Sequence, residues 1–335
     1  MIRVGLAGYG LGGGVFHAPL IRACERMRLS AVLTSRDVPE RVATVRELIE
    51  ASDLVVVATP NTTHFAIAAA ALNAGRHVVV DKPFTVTLEE ADELIALAAE
   101  RERMLTVFHN RRWDGDFLTV RKIVPELGHI ALSEAHWDRF RPHITNGWRK
   151  VPQPGGGLLS DLAPHMIDQA LMLFGMPHAI SADLVAQREE ALVDDFFDLT
   201  LHYGPRRVCL RSSSLVAEPR PRFSIHGGGG SFVKFGLDPQ EAQLKTGMAP
   251  PDADFGVDLR NGVFTRPDGT AGPVPTQRGN YLAFYEAVAR AMLDGGAPPV
   301  SAEEARAGLL LIDLARRASE QRRCLPVPGS SSTAG

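Results

Sequence analysis

Asp161 and His165 stand four positions apart in Asp161-Leu162-Ala163-Pro164-His165. If that stretch is helical, the two side chains share one face, about 6 Å apart. A histidine beside a carboxylate is a proton acceptor held in one tautomer, and the negative charge stabilises its imidazolium. Oxidation of a secondary alcohol needs such a group, because a base must take the hydroxyl proton as hydride leaves the carbon. A cation near the same oxygen stabilises the developing alkoxide, and Lys82 in Asp81-Lys82-Pro83 is the candidate. The same residues also fit a purely structural assignment. Asp161 would then cap the helix, with Pro164 in its first turn, and His165 would be a part-buried residue satisfied by Asp161 or Asp168. His143, Asp161, His165 and Asp168 are metal-ligand types, but no H-E-x-x-H or Cys/His spacing accompanies them, so no metal is expected.

The elements that must position these groups begin at the N-terminus. Ile2 to Ala7 reads as a strand, and Gly8, Gly10 and Gly13 follow as G-x-G-x-x-G, with Tyr9 and Leu11 between them. The first glycine allows a tight turn, the second admits a pyrophosphate, and the third lets the next helix pack on the sheet. Pro19 predicts an irregular helix over residues 14 to 27. The next strand, Leu29 to Thr34, ends in Ser35 and Arg36. Proteins that bind NAD carry an acid there, ~20 positions beyond the glycines, to hold the ribose 2′-hydroxyl. A hydroxyl and a guanidinium suit a 2′-phosphate instead, through a charge-assisted bond worth about 1.5 to 3 kcal/mol. The residues therefore favour NADP over NAD.

Strands at 53 to 60, 77 to 80 and 105 to 109 alternate with helices at 66 to 74, closed by Gly75, and from the Thr87–Glu90 capping box to about Arg101. That alternation predicts a doubly wound parallel sheet, with ligands outside the carboxyl ends of its strands. Ser35, Asn61, Lys82 and Asn110 then surround one crevice. Beyond residue 110 the period changes to two, as in Phe197, Leu199, Leu201 and Tyr203. One helix runs from about Asp161 to Phe174, residues 236 to 278 read as a meander, and two helices close the chain, the second from a Ser301–Glu304 capping box. The fold class is α/β: a Rossmann domain over 1–110, an α+β domain with a large, mainly antiparallel open sheet over 111–328, and a disordered tail over 329–335. His17 and His109 are either site residues or polar loop positions, and Trp113 and Trp148 are core residues or site walls.

The chain has 335 residues, a net charge of −3 and three scattered cysteines. That charge excludes a nucleic-acid or anionic-membrane footprint and makes a small molecule the expected partner. The unpaired cysteines fit a reducing compartment. No leader precedes the first strand, and no apolar run approaches the ~20 residues of a membrane span. A cytoplasmic protein is the expectation.

Together GYGLGGGVFHAP at 8–19, ATPNTTH at 58–64, VVVDKPF at 78–84, VFHNRRWD at 107–114 and GGGLLSDLAPHMIDQAL at 155–171 resemble the Gfo/Idh/MocA family of NAD(P)-dependent sugar and polyol oxidoreductases. The resemblance spans nearly the whole chain and is closest to the branch of NADP-dependent scyllo-inositol dehydrogenases. It implies that Lys82 is the catalytic lysine of the family's E-K-P motif, flanked by Asp81 and Pro83, and that Asp161 and His165 are its D-x-x-x-H pair. It further implies that Thr59, Pro60, Asn61 and His64 line the cofactor, and that Arg112, Trp113, Trp148 and Arg149 lie near the nicotinamide and substrate; His17 is a further candidate substrate residue. Homodimers or homotetramers joined through the open sheet face are implied as well. Two departures stand out: Asp81 replaces the more usual Glu, and residues 37–52 leave little room for the usual helix and strand, so one wall of the adenine pocket is expected to be missing or rebuilt. Other activities fit the same motifs. A ketoreductase acting on a sugar nucleotide would use Arg139, Arg141 and Arg149 for the diphosphate, whereas a non-catalytic NADP sensor would have no need of Lys82, Asp161 and His165.

Overall fold

Ile2, Val4, Leu6 and Ala7 are buried along β1 (Ile2–Ala7), on which the first half of the protein is built. The computed structural model describes residues 1–144, 152 and 155–329; Trp148, Arg149 and the tail from 330 onward lie outside the described residues. The chain divides into two units, Met1–Asp114 with Pro239–Val257 and Gly279–Leu309, and Gly115–Asp238 with Asp258–Arg278 and Leu310–Gly335.

After β1 the glycine-rich stretch enters a π-helical turn, Leu11–His17, and then α1 (Ala18–Ala23), with Pro19 at its start, where a missing N–H needs no partner. The helix is irregular as its sequence predicts but ends sooner, because Cys24 is extended and β2 (Met27–Leu33) begins soon after. Residues 37–52 do hold a strand and a helix, β3 (Arg41–Val42) and α2 (Val45–Glu50), both short, where the sequence leaves little room for either. Six residues suffice for α2 because Thr44 caps it, its Oγ1 accepting the Glu47 N–H at 3.2 Å. Then come β4 (Leu54–Val57), α3 (His64–Asn73), β5 (His77–Val80), α4 (Leu88–Glu100) and β6 (Leu105–Val107). The six strands form one parallel sheet in the order β3-β2-β1-β4-β5-β6. All four residues of β4 are buried, as a strand covered on both faces requires.

The second unit contains α5 (Gly115–Ile123), β7 (Ile130–His136), α6 (Gly157–Phe174), β8 (Ala179–Val185), β9 (Phe196–Tyr203), β10 (Arg206–Ser213), β11 (Phe223–Gly227) and β12 (Gly230–Lys234). The chain returns to the first unit for α7 (Gln240–Lys245) before β13 (Gly262–Thr265) and β14 (Ala271–Val274). These elements correct the meander expected over 236–278. Its Pro, Gly and Asp residues belong partly to a hairpin turn, where Arg266 N–H donates to the Thr270 carbonyl and Gly269 takes φ +87. α8 (Leu282–Leu293), α9 (Ala302–Gln321) and β15 (Leu325–Pro326) complete the chain. The second sheet runs β14-β13-β12-β11-β7-β10-β9-β8-β15, antiparallel throughout except between β7 and β10. Phe197, Leu199 and Leu201 of β9 are fully buried and share a core with Leu159, Leu162, Met166 and Ile167 of α6. At about 1.5–3 kcal/mol per large apolar side chain, that packing fixes the helix on the sheet. Among the described residues, no helix is long and apolar enough to cross a membrane.

Candidate active site

The first unit contributes the glycine-rich turn. Gly8 has φ +92, and a Cβ on Gly13 would lie 2.0 Å from the Gly8 carbonyl oxygen, so neither position tolerates a side chain. Gly10 differs: a Cβ there would meet nothing within 4 Å. Protein packing does not demand a glycine at position 10, whereas a ligand lying against the backbone does. This open cradle fits a dinucleotide pyrophosphate. Tyr9 and Leu11 flank it, the latter exposed. Ser35 and Arg36 lie exposed just beyond β2, the Arg36 N–H donating to Thr34 Oγ1 at 3.1 Å.

Beyond β4, Thr59 and Pro60 are turned by the Thr63 hydroxyl, which lies 2.7 Å from both Thr59 Oγ1 and the Pro60 carbonyl, and Asn61 is buried. His64 is buried too, its ring nitrogens each 3.0 Å from a carbonyl oxygen, those of Thr59 and Pro83. It therefore ties the loop after β4 to the loop bearing Lys82. Asp81 Oδ1 accepts the Lys82 backbone N–H at 2.8 Å, while Oδ2 lies 3.7 Å from His17 Nε2. Burial works to raise the Asp81 pKa, but His17 foremost, then Lys82 and His64, hold it below the usual carboxylate range. His17 is wholly enclosed, its Nδ1 2.6 Å from the Tyr285 hydroxyl, and presents no surface to a substrate. Asn110 is buried at the start of a short 3-10 turn reaching Trp113. Arg112 donates to Glu304 at 3.2 Å and to the Pro299 carbonyl at 3.4 Å, holding the start of α9. The Trp113 carbonyl accepts from Asn280 N–H and from the Gln240 amide.

The second unit contributes α6. It begins at Gly157 with Gly156 as N-cap, so Asp161 sits inside the helix and not at its cap, and Pro164 falls in the interior. The structural assignment of Asp161 as cap is thereby excluded. The cap comes from Asp194, whose carbonyl accepts Leu158 N–H at 2.8 Å and whose Oδ2 accepts Leu159 N–H at 2.6 Å. Gly157 has φ +89, and a Cβ on it would lie 2.0 Å from Asp194 Oδ1. His165 is 5% exposed and stacks on Trp137, ring centroids 6.0 Å apart and planes at 30°. The Trp137 indole also has the buried Arg222 guanidinium 5.0 Å from its ring centre, and Arg222 donates to Gln169 at 2.8 Å. Asp161 is half-buried and pairs with Arg139 at 3.4 Å. Among the described residues, no group of three or more acidic, histidine or cysteine side chains could hold a metal.

Asp194, Trp137, Arg222 and Tyr285 were not foreseen as site residues. Only Tyr285 carried a signal, as one of the aromatics on the apolar face of α8; the other three act across chain separations that no local pattern records.

A parallel sheet ending in a glycine-rich nucleotide turn, followed by an α+β sheet whose helix carries Asp161 and His165, defines a two-part nucleotide-dependent oxidoreductase. Residues 2–109 match the oxidoreductase family's NAD-binding Rossmann fold, and 122–328 its C-terminal alpha/beta domain. The chain belongs to this Gfo/Idh/MocA oxidoreductase family. It is 45% identical to the uncharacterised oxidoreductase YdgJ of Escherichia coli, covering 97% of this chain and 98% of that one. It is 40% identical to the scyllo-inositol 2-dehydrogenase (NADP(+)) IolW of Bacillus subtilis, covering 97% and 95%. A crystal structure of an oxidoreductase from Bacillus cereus superposes with a TM-score of 0.90 at 30% identity, covering 99% and 100%.

Proposed function

We propose that the protein transfers hydride reversibly between NADP(H) and a secondary alcohol or ketone of a cyclic polyol or sugar. The observation that carries this reading is α6, which holds Asp161 and His165 one turn apart in its interior. Similarity to a relative named as an NADP-dependent inositol dehydrogenase supports it, as do Ser35 and Arg36 where NAD-binding proteins carry an acid. The bound nicotinamide supplies the hydride acceptor. The turn shaped by Gly8 and Gly13 would hold the dinucleotide's pyrophosphate against the Gly10 backbone, and the Arg36 guanidinium would hold the 2′-phosphate. The His165 imidazole takes the hydroxyl proton in oxidation and returns it in reduction, with Asp161 stabilising the imidazolium. The Lys82 ammonium binds the reacting oxygen and stabilises alkoxide character. Net, alcohol and NADP⁺ give ketone, NADPH and one proton.

The test is nicotinamide absorbance with purified protein, NADP⁺ or NAD⁺, and a panel of inositols, aldoses, sugar acids and a UDP-sugar. Reduction of NADP⁺ by at least one polyol is expected. His165→Ala and Lys82→Ala should each cut kcat at least a hundredfold, within the range for general acid–base groups, with NADPH affinity unchanged within about twofold. Near-normal turnover in both variants overturns these roles. A response to the UDP-sugar alone replaces the polyol with a sugar nucleotide.

A further inference from the structure

We infer that His17 and Tyr285 are positioning residues for Lys82, acting through the Asp81 carboxylate; the inference rests on the catalytic role proposed for Lys82. Four groups stand in sequence: the Tyr285 hydroxyl 2.6 Å from His17 Nδ1, His17 Nε2 3.7 Å from Asp81 Oδ2, and Asp81 Oδ1 2.8 Å from the Lys82 backbone nitrogen. His17 is fully enclosed, with the Phe108 ring centroid 4.2 Å away, so its ring has little freedom to turn. The glycine-rich turn reaches the same carboxylate, since a Cβ on Gly12 would lie 2.8 Å from Asp81 Oδ2.

The direction of each contact follows from chemistry. Burial, with the Asp81 charge adding to it, pushes the Tyr285 hydroxyl well above its ordinary range, so it remains a protonated donor. A neutral imidazole has one donor and one acceptor nitrogen. With Nδ1 accepting from Tyr285, the ring proton sits on Nε2 and faces the Asp81 carboxylate. The opposite tautomer would set a lone pair against a negative charge. Tyr285 therefore selects the tautomer, His17 steers one carboxylate oxygen, and the other fixes the backbone at Lys82. This also accounts for the shorter acid here: a glutamate in place of Asp81 would drive one more methylene toward His17 and Gly12.

Two readouts separate this inference from the proposed activity. The first is the acetylation rate of the Lys82 amine by acetic anhydride, followed by mass spectrometry relative to the exposed Lys122, which requires no substrate. Tyr285→Phe, His17→Gln and Asp81→Asn should each change that rate at least threefold. The double variant Tyr285→Phe/Asp81→Asn should change it no further than Asp81→Asn alone, as members of one chain are non-additive. The second readout is turnover on any active substrate, where Tyr285→Phe should lower kcat about tenfold with KM and NADPH affinity unchanged. Unaltered Lys82 reactivity in the folded Tyr285→Phe and His17→Gln proteins overturns the inference, as does strict additivity. Altered reactivity in a protein that turns over nothing sustains the inference and removes the activity. Turnover that depends on Lys82, with reactivity unmoved by Tyr285→Phe, does the reverse.

Discussion

Gly10 and Gly13 lie in one turn for different physical reasons, and substitution should separate them. Gly13→Ala sets a methyl 2.0 Å from the Gly8 carbonyl and should destabilise the fold by about 1–3 kcal/mol, as overpacking does. Gly10 has φ −79, which alanine adopts freely, and open space beyond it. Gly10→Ala should therefore keep the wild-type Tm within about a degree while weakening NADPH binding at least tenfold, measured by fluorescence titration. A Tm loss without an affinity loss would mean that the space serves packing and not a ligand. Arg36 makes a sharper test at the same scale. Replacing its guanidinium by a carboxylate in Arg36→Asp removes a charge-assisted bond worth about 1.5–3 kcal/mol. The preference for NADPH over NADH should fall roughly tenfold to a hundredfold in that variant, and an unchanged ratio would assign the 2′-phosphate to other groups.

Helix α6 shows what an element adds to its residues. The four-residue spacing of Asp161 and His165 was legible in the sequence, but the start of their helix was not, because glycine is a poor helix former and the capping carboxylate comes from the distant Asp194. β3 and α2 were obscured for a related reason: the strand is two residues long, and the helix needs its Thr44 cap to persist. Elements with distinctive local patterns, such as the all-aliphatic β4, the alternating β9 and α4 with its capping box, were readable from their own residues. For α6 the expectation is specific. Asp194→Ala removes the acceptor for the Leu159 N–H and should cost about 0.5–2 kcal/mol, as loss of a cap does. Asp194→Asn keeps an acceptor and should cost less. Gly157→Ala combines φ +89 with a methyl 2.0 Å from Asp194 Oδ1 and should exceed both. Urea midpoints of the three variants give the order, and Asp194→Asn as damaging as Asp194→Ala would show that charge and not the hydrogen bond holds the helix.

Over the whole molecule, what the sequence concealed most fully was where the chain returns. Residues 239–257 and 279–309 rejoin the first unit, although by position they belong to the stretch that reads as a second domain. Leu244, Phe255, Phe284, Tyr285 and Val288 of the returning segments are buried in the first unit's core, and polar contacts that no periodicity encodes join them there. Arg111 donates to the Tyr281 hydroxyl at 2.6 Å and pairs with Glu241, while that hydroxyl donates to Asp114 at 2.6 Å. Burial works to raise the Glu241 pKa, but the Arg111 charge, and then Lys245, outweigh it and hold the carboxyl at about 2, against an ordinary 4.5. A carboxylate depressed in the folded state adds stability that is complete above its unfolded pKa and is lost as pH falls through its folded one. The contribution of Glu241 should thus be full above about pH 5 and decline steadily toward pH 2. Glu241→Gln, which cannot ionise, provides the reference. The wild-type protein should exceed it in urea midpoint at pH 6, and the gap should close progressively as the pH is lowered. A gap that stays constant down to pH 2.5 would mean that Glu241 stabilises the return by packing and neutral hydrogen bonds, with no part played by its charge.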